Sequence, residues 1–217
     1  MSAQYIGVKQ ASSKPCPKCK GAKHLPNGDG TWRRCDCIRE SLYRHACERA
    51  GVPSIYVATP LDELKPDRVF VKIVTASIAR SMTRLVWAQG KLTGLSMRRS
   101  LAWALRSSID AGLTAATYEL PSLIDTWFDR ERKADVRESI KTMHTLVLIA
   151  TNPLSHKVGA QVMEDVYSVR SGAAGLTVFA STDDIGAMPA RYGHEVADVF
   201  HKRRIAHVVF RDGKVKP

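Results

Sequence analysis

The fold is decided by the stretch TLVLIA, residues 145–150, in which every residue after the first is apolar. A run this short and this apolar is typical of a strand that is buried on both faces of a sheet. The segments LTVFAST (176–182) and AHVVF (206–210) are similar, and helical sequence separates the first two. Strands that alternate with helices predict the α/β class, with a parallel sheet covered by helices on both sides.

Hydrophobic periodicity predicts the remaining elements of this part of the chain. In SMRRSLAWALRSSIDAG (96–112), apolar residues recur on one helical face and Gly112 marks the end. The charged run DRERKADVRESIK (129–141) mixes both signs, which favours a solvated helical face. The other predicted elements are a helix leading into a strand at 85–88 within VKIVTASIARSMTRLVWA, a strand in TAATYEL, and helices in PSLIDTWFDRE and SHKVGAQVMEDVYSVRSGAAG.

Composition and charge limit the class of protein. The 217 residues are 44% hydrophobic and 25% charged, as in a globular protein. No apolar run approaches the ~18 residues of a membrane span or resembles a signal peptide, so we expect a cytoplasmic protein with no membrane partner. The net charge of +12 favours a polyanionic partner, and residues 1–60 carry ten basic against four acidic side chains.

Four cysteines lie within CPKCKGAKHLPNGDGTWRRCDC, residues 16–37. Disulfides are rare in a reducing cytoplasm, whereas two short cysteine turns about 15 residues apart are typical of a tetrahedral metal site. The spacing therefore predicts a structural zinc ion, since four protein ligands fill its coordination shell. Iron–sulfur binding and four incidental thiols are the alternatives, and His24 or Cys47 could replace one ligand. The predicted ligands are Cys16, Cys19, Cys35 and Cys37.

A helix and a connection follow the cysteines. IRESLYRHACERAG places Ile38, Leu42 and Ala46 at a spacing of four, which predicts a helix with Cys47 beside its apolar stripe as a core thiol. The proline-punctuated GVPSIYVATPLDELKPD is typical of a linker between domains. We therefore expect a zinc-binding module, helix and linker over residues 1–60, and an α/β domain over residues 61–217.

This order of elements resembles the DnaC-like helicase loaders of bacteria and phages, whose second domain is an AAA+ ATPase. The resemblance covers nearly the whole chain and includes AGVPSIYVATPLDEL, because the loaders have a similar connection at this point. It implies a P-loop-like parallel sheet with flanking helices, and an ATP site on it. The matching residues of the connection are Gly51, Val52, Pro53, Tyr56, Thr59 and Leu61.

The P-loop that the resemblance implies falls in WAQGKLTGLSMRRS, residues 87–100. A P-loop needs two glycines, a lysine for the β and γ phosphates, and a hydroxyl for magnesium. Gln89 occupies the position of the first glycine and Leu95, which we expect to be buried, that of the lysine. Lys91 is the alternative, displaced lysine. The turn formed by Gly90, Thr93, Gly94 and Ser96 could still hold an anion.

The other ATP-site residues implied by the resemblance differ as well. Two acids should follow a strand where this sequence has Ala150 and Thr151 or, one residue earlier, Ile149 and Ala150. Thr182 stands where an asparagine should sense the γ phosphate. Asp198 falls near the position of the arginine finger, for which Arg191, Arg203 and Arg204 are displaced candidates. These separate differences predict a degenerate AAA+ domain that is not an enzyme, a pseudo-ATPase.

Basic residues beside an aromatic one suggest nucleic-acid binding. Solubility is the alternative explanation for the basic clusters. The resemblance implies a non-catalytic, helicase-loader-like replication factor of a phage, plasmid or mobile element, with a hexameric replicative helicase, single-stranded DNA and an active AAA+ protein as partners. The alternative function is a zinc-bearing nucleic-acid-binding or regulatory protein with no helicase partner. The nucleic-acid-binding candidates are Trp32, Arg33, Arg34, Lys202, Arg203 and Arg204.

Overall fold

The computed structural model divides the chain into two compact units, residues 1–45 and residues 46–217. The division falls earlier than the boundary expected near residue 60. Within the described residues, no helix combines the length and the apolar character needed to cross a membrane. The structure describes residues 15–79, 84–151, 156–170, 175–187, 189, 190, 194, 198 and 205–211.

The first unit contains a small antiparallel hairpin followed by the start of a helix. Strands β1 (His24–Pro26) and β2 (Trp32–Arg34) pair, and helix α1 (Asp36–Arg49) follows directly. The helix begins earlier than the sequence predicted, so that Cys37 lies in its first turn. Its expected apolar stripe is not a buried face, because Leu42 is 58% exposed. The buried residue of α1 is Cys47, as predicted for a core thiol.

The proline-punctuated segment belongs to the second unit, which explains the earlier division. It forms helix α2 (Ser54–Ala58) and a 3-10 turn (Leu61–Leu64). The guanidinium of Arg106 is buried and donates hydrogen bonds to the carbonyl oxygens of Tyr56, at 2.5 Å, and Thr59. The segment is therefore fixed to the body of the domain and does not act as a free linker over this length.

The second unit is built on a five-stranded sheet with the order β4-β5-β6-β3-β7. Every strand pair in it is parallel, which confirms the predicted fold class. The elements are α3 (Arg68–Ile78), β3 (Arg84–Gln89), α4 (Leu95–Asp110), β4 (Ala115–Glu119), α5 (Leu120–Phe128), α6 (Lys133–Thr142), β5 (Thr145–Ala150), α7 (His156–Arg170), β6 (Leu176–Ser181) and β7 (Ala206–Val209).

Helices cover both faces of the sheet. Helices α3 and α4 contact one face, and α5 lies on strands β4 and β5 and contacts α6 and α7, which contact each other. A hydrophobic core includes Trp87 and Phe179, whose rings stack 4.7 Å apart on neighbouring strands. Leu146 and Leu148 of β5 join this core, while Val147 between them is also fully buried. Strand β5 is thus buried on both sides, as TLVLIA predicted.

A buried arginine ties the ends of several elements together at the amino-terminal edge of the sheet. Arg170, the last residue of α7, donates to the carbonyl oxygens of Ile140 (3.2 Å), His144 (3.3 Å), Leu176 (3.1 Å) and Met143. Burial lowers the pKa of Arg170 to about 10, so the guanidinium stays charged at neutral pH. These hydrogen bonds stabilise the amino-terminal edge. Ligands of parallel α/β sheets bind at the opposite, carboxyl-terminal edge, so a site is expected there.

Candidate metal centre and nucleotide-binding loop

The four cysteines of the first unit form one cluster. Their Sγ atoms all lie within 4.8 Å of one another. The Sγ atoms of Cys16 and Cys35 are 3.8 Å apart, and those of Cys19 and Cys37 are 3.5 Å apart. A tetrahedral zinc ion with Zn–S bonds of about 2.3 Å holds its sulfur ligands about 3.8 Å apart. The donor set and its spacing therefore fit zinc.

Two local turns place these thiols. In the first, the N–H of Lys20 donates to the carbonyl of Cys16 (2.7 Å) and that of Ala22 to Cys19 (2.8 Å). Gly21 has a φ of 92°, in the left-handed region, which reverses the chain here at no steric cost. In the second, α1 starts directly after Cys35, so its first turn presents Cys37. The hairpin between the turns brings the two cysteine pairs together.

The thiols influence one another strongly. Burial raises the pKa of Cys19, but hydrogen bonds from the backbone of Gly21 and Lys23 outweigh it and the pKa falls to about 7. Hydrogen bonds with Cys35 and Cys19 raise the pKa of Cys37 to about 12. The pKa of one thiol is thus lowered and that of a second is raised, and a divalent cation bound between them would stabilise both as thiolates.

Neither alternative ligand is a member of this cluster. His24 is an exposed residue of β1, and Cys47 is fully buried in the second unit. Among the described residues, the only cluster of possible metal ligands found is that of the four predicted cysteines. An ion pair between Lys18 and Asp36 (3.1 Å) lies beside the cluster, and Lys18 lowers the pKa of that carboxyl.

In the second unit, the strand, loop and helix expected of a P-loop are present. Strand β3 ends at Gln89, and α4 begins at Leu95 with Gly94 as its N-cap. The Gly90 N–H donates to the carbonyl of Ser181 (3.0 Å). A Cβ atom at Gly90 would lie 2.8 Å from the Phe210 carbonyl oxygen, so this position requires glycine. The fold therefore retains the loop, with glycines at both of its ends.

The side chain at the position of the P-loop lysine is the exposed Leu95, 52% exposed in the first turn of α4. Our expectation that this leucine is buried was wrong, because the buried residues of α4 begin only at Met97. Lys91 and Thr93 are exposed in the loop, and Ser96 is half-buried. The carbonyl of Lys91 accepts a hydrogen bond from the Gly94 N–H (2.7 Å), which closes the turn before α4.

The described residues in the last row of the strands beside this loop include no acid. Gln89, Ser181 and Ala150 lie in one row across β3, β6 and β5. Ala150 is 5% exposed, and Thr151 after it is exposed. Thr182, at the sensor position, is exposed as well. The row thus ends in an amide, a hydroxyl and a methyl group where magnesium would require carboxylates.

Acids do follow β6, at Asp183 and Asp184. The carbonyl of Asp183 accepts a hydrogen bond from the indole of Trp87 (3.2 Å), and the carboxylate of Asp184 accepts one from Gly186 N–H (2.7 Å). One contact of this edge was missed by sequence reasoning, a hydrogen bond between Gln89 Oε1 and His207 Nε2 at 2.8 Å. Its partners are 118 residues apart, and no local pattern could have predicted it.

The structure describes some of the remaining nucleic-acid-binding and arginine-finger candidates, and others lie outside the described residues. Trp32, Arg33 and Arg34 form β2, and all three are exposed, Trp32 by 67%. Asp198 is an exposed helical residue. The displaced arginine candidates and the second basic cluster lie outside the described residues, namely Arg191, Lys202, Arg203 and Arg204.

The sheet order and its covering helices define the second unit as a P-loop/AAA+ α/β fold. Solved structures confirm this likeness. The DnaC helicase loader matches with a TM-score of 0.56 at 13% identity, over 73% of this chain and 100% of that chain. DnaI matches with a TM-score of 0.53 at 13% identity, over 71% and 95%.

A replication initiator has the same fold. DnaA, in a structure bound to AMPPCP and single-stranded DNA, matches with a TM-score of 0.60 at 12% identity, over 74% of this chain and 51% of that chain. No family model matches this sequence. No curated protein matches it significantly either. The likeness to helicase loaders and initiators is therefore one of fold.

Proposed function

We propose that this protein is a non-catalytic, helicase-loader-like factor of DNA replication. The observation that carries the proposal is the exposed Leu95 at the first turn of α4, on a fold otherwise like that of DnaC. In a working P-loop, the lysine at this position neutralises the β and γ phosphates. A leucine supplies neither charge nor hydrogen bond, and ATP loses its main contact.

Two further positions support a pseudo-ATPase. Ala150 ends β5 and Thr151 follows it, where acids would bind magnesium, and Thr182 follows β6 at the sensor position. Phosphoryl transfer depends on the metal and on charge stabilisation, so losing both with the lysine removes most of the catalysis. Such a factor acts by binding energy alone, or beside an active AAA+ protein.

The first unit supplies the proposed metal site. Cys16, Cys19, Cys35 and Cys37 would hold zinc, whose role there is to fold the module, because four protein ligands leave no open position for catalysis. We propose that this module binds the replicative helicase, since DnaC is a helicase loader and this unit does not include the ATPase-like sheet.

The test is capture of the helicase. Tagged full-length protein is mixed with purified hexameric replicative helicase of the host, and the complex is measured by size-exclusion chromatography and light scattering without nucleotide. We expect a stable complex, reduced by Cys16→Ser/Cys19→Ser but not by Leu95→Lys. No complex under any condition would favour the zinc-bearing nucleic-acid-binding or regulatory protein, which the basic, aromatic strand β2 also supports.

A further inference from the structure

The hairpin of the first unit has two chemically different faces. His24 pairs with Arg34, Leu25 with Arg33, and Pro26 with Trp32. Residues directly opposite each other in an antiparallel pair share a face, and alternate residues of a strand share it too. One face therefore combines His24, Pro26, Trp32 and Arg34, and the other combines Leu25 and Arg33.

The cysteine cluster lies on the face of Leu25 and Arg33. The Cys35 N–H donates to the carbonyl of Lys23 (2.9 Å), which extends the pairing by one step beyond Arg34. By strand alternation, the Cys35 side chain then points away from that of Arg34. Cys35 is 1% exposed, whereas Trp32 is 67% exposed. Cys35 thus ties the cysteine cluster to the back of the hairpin, and the face of Trp32 stays exposed.

The open face combines an aromatic ring with positive charge and hydrogen-bond donors. Residues 15–45 contain seven lysines and arginines against three acids. Two of the acids already form ion pairs, Asp36 with Lys18 and Glu40 with Arg44. Asp29 accepts hydrogen bonds from Thr31. The charge that remains is complementary to a polyanion, and a rigid aromatic ring beside it suits a planar, unpaired base.

We infer that the face formed by His24, Pro26, Trp32 and Arg34 binds single-stranded nucleic acid. A base stacks on the indole of Trp32, and the guanidinium of Arg34 contacts the adjoining phosphate. Duplex is excluded from this mode, because its bases are already stacked on one another. The inference deepens the proposed replication role by assigning a ligand to the first unit, and it holds whether or not a helicase is captured.

The matched pair Arg33 and Arg34 tests the assignment. Each change to Gln removes one positive charge from the same exposed strand, so an unspecific electrostatic effect would weaken binding equally. If Arg34 contacts phosphate, Arg34→Gln reduces the slope of the logarithm of the binding constant against the logarithm of the salt concentration. The slope decreases in magnitude by about 0.7 for a single strand. Arg33→Gln leaves the slope nearly unchanged, because its side chain lies on the other face.

The second pair of variants replaces Trp32 with Leu or with Phe. Loss of one stacked base corresponds to an affinity loss of roughly 5- to 150-fold in Trp32→Leu, whereas Trp32→Phe retains most of the binding. Binding is measured by fluorescence anisotropy with labelled oligothymidylate and oligouridylate of about 12 nucleotides and with duplex DNA of equal length. The two single strands separate DNA from RNA as the ligand. Each variant is the full chain, and its metal content and thermal unfolding are compared with wild type.

Weaker binding of Arg34→Gln than of Arg33→Gln, and of Trp32→Leu than of Trp32→Phe, supports the inference. Equal effects within each pair overturn it and leave only unspecific charge. Duplex binding as tight as single-strand binding also overturns it. If Trp32→Leu keeps full oligonucleotide binding but no longer forms the helicase complex, the face is a protein contact and the inference fails, while the proposed function stands.

Discussion

The Sγ atoms of Cys16 and Cys35 lie 3.8 Å apart, although nineteen positions separate the two residues in the chain. Among residues 15–45, only Cys19 and Cys35 are buried. The described part of the first unit thus has almost no hydrophobic core, and a segment of this size usually needs a metal or disulfides to fold. We propose that zinc held by the thiol cluster takes the place of that core, so that the stability of the unit depends on the metal.

Replacing one ligand should therefore unfold the first unit. In Cys35→Ser, we expect the zinc content to fall from about one ion per chain to near zero, because a hydroxyl is a far poorer zinc ligand than a thiolate. The backbone amide signals of the hairpin should lose their chemical-shift dispersion in NMR spectra, while the second unit still unfolds cooperatively. Inductively coupled plasma mass spectrometry measures the metal. Iron in place of zinc, or a folded hairpin after chelation, would contradict this.

The fifth cysteine provides the control. Cys47 is fully buried but lies in the second unit, outside the cluster. Cys47→Ala should retain the metal and lower only the free energy of unfolding of the second unit. A loss of zinc in this variant would mean that Cys47 is a ligand after all.

A second prediction concerns Arg106, which holds the α2 segment. Arg106→Met keeps the length of the side chain but leaves the carbonyls of Tyr56 and Thr59 without their donor. We expect a loss of about 1–3 kcal/mol in the free energy of unfolding, the usual cost of unsatisfied buried polar groups. Urea denaturation measures it.

The matched control for Arg106 is Arg98, on the same helix. Its guanidinium lies over the ring of Tyr56, 5.8 Å from the centroid, and its side chain is exposed. An exposed cation–π contact contributes about 0.5–1 kcal/mol, so Arg98→Met should cost less than Arg106→Met. Equal losses in the two variants would show that the hydrogen bonds to α2 add nothing.

The segment that was misjudged as a linker shows what sequence patterns could not predict. TLVLIA and LTVFAS were recognisable because a strand buried on both faces has an apolar residue at every position. The α2 segment was interpreted as a linker because its partner, Arg106, is fifty positions from Tyr56. Periodicity records which face of an element is apolar, and it contains nothing about a hydrogen bond over that distance.

The cysteine site was predictable and the hairpin faces were not. Spacing alone identified the four thiols, since two short turns bring cysteines together almost regardless of the rest of the fold. Arg33 and Arg34, in contrast, are adjacent and chemically identical. Only the strand register separates them onto opposite faces, and a shift of one residue would exchange them.

A third prediction concerns the basic cluster outside the described residues. If Lys202, Arg203 and Arg204 contact phosphates, neutralising all three with Gln should lower the salt slope of single-strand binding by about 2. Affinity should then depend little on base sequence. The measurement is the oligonucleotide titration at several salt concentrations. An unchanged slope would assign these residues to solubility or to an acidic protein surface.

The last prediction is that the protein neither hydrolyses ATP nor needs it, and that Leu95→Lys does not restore activity. Because Leu95 is 52% exposed, the new lysine costs no core packing, and we expect the variant to fold with nearly unchanged stability. Inactivity would then reflect missing chemistry and not misfolding. Ala150, Thr151 and Thr182 still lack the groups that bind magnesium and sense phosphate, so one repair is insufficient.

Calorimetric titration with magnesium and ATP, and phosphate release in the presence of helicase and single-stranded DNA, test this on wild type and Leu95→Lys. We expect no turnover in either protein, and at most weak anion binding at the glycine-bearing turn before α4. Lys91→Ala is the decisive control, because Lys91 is an exposed cation of that loop. Micromolar, magnesium-dependent binding with turnover that Lys91→Ala abolishes would mean that a displaced lysine serves an active ATPase, since no structural role of an exposed loop residue predicts such a loss.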